Sequence, residues 1–225
     1  MNILFFSRKR RLCVVGLLIT VTAGCGGLIQ KPPAQPTFYS LDYAHNSAQS
    51  GKRQARPVSA ATGAAPTLTV SQPRAAAGFD SQRIIYTRDT YKLDYFAHSE
   101  WIDTPARMLM PTIVAAIENS NAFRAVVPTP SAATGDLRLD TEILRLQHNF
   151  TGSPSRVRFT LRAYVVDSAT RRVLATREFD ESVAASSEDP YGGVVAANRA
   201  VQIAMEKLAD FCIEVAAAWP PPPAR

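Results

Sequence analysis

The strongest constraint on this chain lies in its first 25 positions. A basic cluster, Arg8-Lys9-Arg10-Arg11, precedes an apolar run from Leu12 to Ala23 broken only by Gly16, Thr20 and Thr22, and the run ends at Gly24 and Cys25. Positive charge, then a short apolar stretch, then small residues is the order of an export signal that is cut away. The run holds 12 residues, whereas a helix crossing a bilayer needs roughly 20. Residues 1–24 therefore read as a leader rather than a permanent span, and the rest of the chain is expected to fold outside the cytoplasm.

Thr22-Ala23-Gly24-Cys25 resembles the lipobox of bacterial lipoproteins, with Thr22 where Leu is usual. The resemblance implies cleavage before Cys25, a diacylglyceryl group on its thiol and a third acyl chain on the new amino terminus. One acyl chain gives only marginal membrane binding, at about 0.8 kcal/mol per buried CH₂, so several make the anchor permanent. Gly26 follows in place of the Asp that holds enterobacterial lipoproteins in the inner membrane. The expected location is thus the outer membrane, facing the periplasm.

Four of the 25 Lys and Arg residues lie in the leader, which leaves 21 against 19 Asp and Glu. That balance lacks the electrostatic footprint of a nucleic-acid-binding protein. Of the three cysteines, Cys13 leaves with the leader and Cys25 carries lipid, so Cys212 has no disulfide partner and the fold must rest on its core. Cys212 falls on the apolar face of a predicted helix, which marks it as a small buried hydrophobe rather than a nucleophile.

Residues 25–36 contain Pro32, Pro33 and Pro36 and few large apolar side chains, as expected of an extended tether. Phe38 to Tyr43 reads as a first strand, residues 44–66 as a mobile low-complexity loop, and Leu68 and Val70 as a second strand ending near Pro73. Arg83–Arg88 and Tyr91–Phe96, two residues apart, predict a tight hairpin. Asp103-Thr104-Pro105 is a helix start with Asp103 or Thr104 as cap. Leu109, Ile113 and Ile117 form its buried stripe, Pro111 predicts a kink near Arg107, and Asn119 to Asn121 close it. Phe123, Val126 and Val127 begin a short strand.

From Asp136 to Phe150 the alternation Leu137, Leu139, Thr141, Ile143 changes phase to Leu144 and Leu146, which predicts a bulge at Ile143-Leu144. Val157 to Val165 alternate cleanly, and Val173 to Val183 return as the third strand of a meander. Asp189-Pro190 opens a long helix with Ala197, Val201, Ala204, Leu208, Phe211 and Val215 on one side, and residues 218–225 are expected to be a disordered tail. The fold expected for residues 37–217 is α/β, a single-domain two-layer sandwich with a mixed, mostly antiparallel sheet packed by two main helices.

The order of these features resembles the ABC-type transport auxiliary lipoprotein family, which includes the paraquat-inducible protein C lipoproteins. The matching segments are Phe38 to Leu41, Ile84-Ile85-Tyr86, Tyr91 to Tyr95, Trp101, Pro105-Ala106-Arg107, Asn121 to Val127 and Ala196-Ala197-Asn198-Arg199-Ala200. The resemblance implies a non-enzymatic accessory of an envelope lipid-transport system. Its partners would be a permease, an ATPase and a periplasmic subunit of the mammalian-cell-entry (MCE) type, and its task docking or capping that conduit at the outer membrane. Self-association is expected because one small domain offers little surface for capping a tube. A reading from another class is an assembly or pilot lipoprotein for an outer-membrane barrel or secretin, and a weaker third is a hydrolase.

His45, His98 and His148 show no metal-ligand spacing, no Gly-x-Ser-x-Gly elbow occurs, and neither metal nor cofactor is expected. Tyr86, Tyr91, Tyr95, Phe96 and Trp101 crowd a 16-residue window. They form either core and edge packing for the hairpin, which is favoured, or a docking hot spot or lipid-facing rim. Arg107 beside them is either a partner contact or one half of a structural ion pair. Gly192-Gly193 at the start of the last helix are expected to permit close packing rather than to bind an anion.

Overall fold

The computed structural model describes residues 35–42 and 65–219. Cys25, most of the tether expected at 25–36, most of the loop expected at 44–66 and the residues beyond Trp219 lie outside the described residues. The described chain runs β1 (Thr37–Tyr39), β2 (Thr67–Val70), β3 (Arg74–Ala75), β4 (Arg83–Thr87), β5 (Asp94–Trp101), α1 (Pro105–Glu118), β6 (Ala125–Pro128), β7 (Leu137–Asn149), β8 (Arg156–Asp167), β9 (Val173–Ala184) and α2 (Pro190–Ala218).

β7 is the spine of the sheet. β8 pairs with it antiparallel from Leu137↔Asp167 to Asn149↔Arg156, and β9 pairs antiparallel with β8. The other edge of β7 is shared by three short parallel strands, with Leu68 beside Leu137, Arg74 beside Glu142 and Tyr86 beside His148. β6 extends the sheet beyond β2, while β5 and then β1 extend it beyond β4. The long pairings are antiparallel and the parallel ones brief, so the sheet is mixed as expected.

The predicted bulge falls between Ile143 and Arg145, with Leu144 the extra residue. Before it the odd-numbered Leu137, Leu139, Thr141 and Ile143 are buried, and after it the even-numbered Leu146 and His148. Both helices cover this inward face. α2 lays Ala197, Ala200, Val201, Ala204, Met205, Leu208 and Phe211 over β8 and β9, and α1 adds Leu109, Ile113 and Ile117. Asp189 caps α2 by accepting a hydrogen bond from the Gly192 amide at 2.7 Å. At the far end the indole of Trp219 donates to Asp167 at 3.0 Å. Trp219 is therefore part of the domain rather than of a tail beginning at 218. The outward face is polar, with Arg138–Asp140, Arg158–Asp180 and Arg162–Glu178 pairs standing along β7, β8 and β9.

Three local expectations differ from the structure. The first strand stops at Tyr39, and Leu41 is buried beyond it. The β4–β5 connection spans Arg88 to Leu93 rather than two residues. A two-residue hairpin turn favours positive φ at its central positions, which β-branched Thr90 resists. The positive φ falls instead on Tyr91, at 68°, and the Thr87 hydroxyl lies 2.8 Å from the Asp89 carbonyl and 2.9 Å from that of Lys92, closing the wider loop. At α1 the Thr104 side chain makes no cap hydrogen bond, and Asp103 accepts from the Thr104 amide at 2.7 Å. α1 runs unbroken through Pro111, which is exposed.

Phe211 packs edge-on to Phe179 at 6.1 Å between ring centres, with the Arg177 guanidinium 4.7 Å from its own ring centre. Phe211→Ala is expected to lower unfolding stability by about 3–5 kcal/mol, the usual loss for a buried phenylalanine, measured by chemical denaturation. A loss under about 1 kcal/mol would mean that α2 is not seated on β9 as described.

Candidate docking surfaces and a buried histidine

The aromatic window separates into four places. Trp101 ends β5 with only 3 % of its surface exposed. It belongs to the core, which rules it out as a partner contact. Its indole lines the inward side of the sheet together with Ile84, Leu146, Val157 and Ala197. Tyr86 and Phe96 stack at 4.6 Å, and Phe150 closes the group at 5.8 and 6.3 Å. The Arg88 guanidinium lies over Tyr86 and Phe150, a cation–π arrangement that keeps its charge in water. Tyr95 is half-exposed under Arg83, 4.1 Å from its ring centre. Tyr91 stands wholly in solvent at the tip of the loop, with Leu93 half-exposed beside it.

Arg107 pairs with Asp103 one turn earlier at 3.1 Å and remains largely exposed. Being exposed, it adds little to stability. Cys212 is buried and its thiol pushed up to about 12 by burial, so it is a packing residue and not a nucleophile.

The arrangement that motif reading missed is centred on His148. Its ring is 2 % exposed, Nε2 lies 2.8 Å from the Ser155 hydroxyl, and Nδ1 has no hydrogen-bond partner. The Ser155 amide donates to Glu188 at 2.8 Å, tying the β7–β8 turn to the approach of α2. Gly193 presses on the ring so closely that an added Cβ would stand 2.5 Å from Nδ1. A Ser–His pair with a nearby carboxylate has the components of a hydrolytic site, but Ser155 is fully buried and the crevice beside the ring encloses about 10 Å³, no more than one water molecule. Among the described residues no group of histidine, cysteine and carboxylate side chains is placed to hold a metal ion, and no helix is long and apolar enough to cross a membrane.

One open groove runs between β9 and α2, about 470 Å³, where Lys207 meets Glu181 at 2.6 Å and Arg177 meets Glu214 at 2.9 Å. Along it the outer edge of β9 has no strand partner among the described residues.

Fold and surface together define a single two-layer α/β sandwich domain. The chain belongs to the family of ABC-type transport auxiliary lipoprotein components, whose model matches residues 50–209. Among solved structures it is similar to protein XCC0632 from Xanthomonas campestris, with 24 % identity over 68 % of this chain and 87 % of that one and a TM-score of 0.64. The hypothetical protein CT253 from Chlamydia trachomatis shares 8 % identity over 69 % and 100 % of the two chains, with a TM-score of 0.51. At these identities the structural likeness concerns the fold alone. No curated protein matches the chain.

Burial holds the His148 imidazole below the ordinary histidine range, against the opposing pull of the Glu188 and Asp189 carboxylates. The unfolded chain takes up this proton near the ordinary value of about 6.5, so it binds more protons than the folded chain as pH falls through that value. Stability is therefore expected to be full above about pH 7 and to decline on acidification. Asp180 acts in a separate window, held down to about 2 chiefly by its hydrogen bond from Arg158, and its contribution is lost only in stronger acid. Melting temperatures between neutrality and mild acid should fall for the native chain and flatten for His148→Gln; an unchanged slope in the variant would contradict this assignment.

Proposed function

We propose that this chain is a non-enzymatic subunit of an envelope ABC system that moves lipid through an MCE-type periplasmic partner. Anchored through acylated Cys25 at the outer membrane and facing the periplasm, it docks or caps the conduit there. The observation that carries the reading is the family match across most of the folded domain, which belongs to auxiliary lipoproteins of ABC transport. One feature is in keeping with it: Ser155, His148 and Cys212 are closed inside the domain. Copies of the domain assemble around the conduit.

In cells, Cys25→Ser is expected to move the protein from the outer-membrane fraction to the soluble periplasm. It should also produce the same detergent sensitivity as loss of the MCE-type subunit, with no further effect when both defects are combined. Retention of the variant in the membrane contradicts the anchor. Additive sensitivity contradicts membership of one transport system and favours the barrel or secretin reading.

A further inference from the structure

We infer that the β4–β5 loop, Arg88 to Leu93, is a foot that rests in the headgroup layer of the bilayer carrying the lipid anchor. The inference rests on the acylation of Cys25 proposed above. Strand polarity supplies the first argument. β1 runs parallel to β5, with Thr37 beside Ser99 and Tyr39 beside Trp101. Thr37 lies five residues along β5 from Asp94 and β1 runs the same way as β5, so Pro36 precedes it on the side of β5's start, the end from which the loop projects. Twelve residues separate Cys25 from Thr37. At no more than about 3.5 Å each, they confine the start of β1 to within roughly 40 Å of the membrane surface.

The composition of the loop supplies the second argument. Tyr91 is completely exposed on a backbone at φ 68°, a conformation uncommon for a bulky residue, and Leu93 is half-exposed two positions on. Arg88 precedes them and Lys92 lies between them, both with exposed side chains. An aromatic ring, a short apolar chain and long basic stems that can reach back to water are the combination favoured at a bilayer interface. The loop is also well supported. The Thr87 hydroxyl closes it, the Lys92–Asp94 pair at 3.2 Å braces its exit, and the Tyr86, Phe96 and Phe150 cluster forms its base.

Charge decides how such a foot acts. Arg88 and Lys92 are balanced by Asp89 and Asp94, so attraction to anionic lipid is weak, and one ring with one leucine is a small apolar payload. The foot cannot capture a membrane alone. With the tether fixed, contact becomes an intramolecular event at high effective concentration, and a weak foot is then enough to set the orientation of the domain. The same geometry leaves the opposite end of the sheet, with the β8–β9 turn, directed away from the anchoring bilayer.

The full-length lipidated protein, reconstituted in vesicles of phosphatidylethanolamine and phosphatidylglycerol, tests this. Tyr91→Cys and Ala169→Cys are labelled separately with a nitrobenzoxadiazole fluorophore, Cys25 being acylated and Cys212 buried. The expected result is a blue-shifted, several-fold brighter label at 91 that lipids spin-labelled near the headgroup quench, and a water-like label at 169 on the β8–β9 turn. A water-like label at 91 on protein that floats with the vesicles overturns the foot and leaves the anchor standing. Protein that fails to float overturns the anchor, and the foot with it.

Discussion

The structure depends on one strand being paired along both edges. β7 has β8 on one side for its whole length and β2, β3 and β4 in succession on the other. The bulge at Leu144 makes this arrangement serve the core. By shifting the phase of alternation it turns Leu146 and His148 inward; an unbroken alternation would have faced Gln147 and Asn149 to the helices. The burial of His148 against Gly193 is thus a consequence of one inserted residue. Loss of the bulge would expose a leucine and bury amides with no partner, a change that affects every element packed on the spine.

The final helix joins this spine to the beginning of the chain. Asn198 on α2 accepts from the Asp42 amide at 2.7 Å and donates to the Ser40 and Val194 carbonyls at 3.1 and 3.0 Å. Tyr39 lies 6.5 Å from Tyr191 of the same helix. The segment around β1 is therefore fastened to the longest described helix by directed hydrogen bonds across most of the sequence, although β1 itself has three residues.

Much of this was legible in the sequence where one face is dry and the other wet. β7, β8, β9 and α2 announce themselves because half-burial imposes a period of two or of about 3.6 residues, and the phase change at Ile143-Leu144 marked the bulge. Illegible features had no period to show. β3 is two residues long, and the parallel pairings of β2, β3 and β4 with β7 join segments far apart in sequence. The crowding of aromatics between Tyr86 and Trp101 concealed that they serve four different places, since irregular pairing between β4 and β5 disturbs the alternation that would have sorted them. His148 and Ser155 meet across a turn, and their complement is a glycine on the last helix; Gly192-Gly193 signals close packing in the sequence but not its partner.

The domain buries Ser155, His148 and Cys212, carries paired charges on its outer sheet face and fastens its entry strand to its core. Family membership places it among the auxiliary lipoprotein components of ABC transport. Cross-linking of intact cells followed by mass spectrometry tests the account most directly. Cross-links from exposed residues of this domain to an MCE-type periplasmic subunit or its permease are the predicted result. Cross-links confined to an outer-membrane barrel or secretin would contradict it.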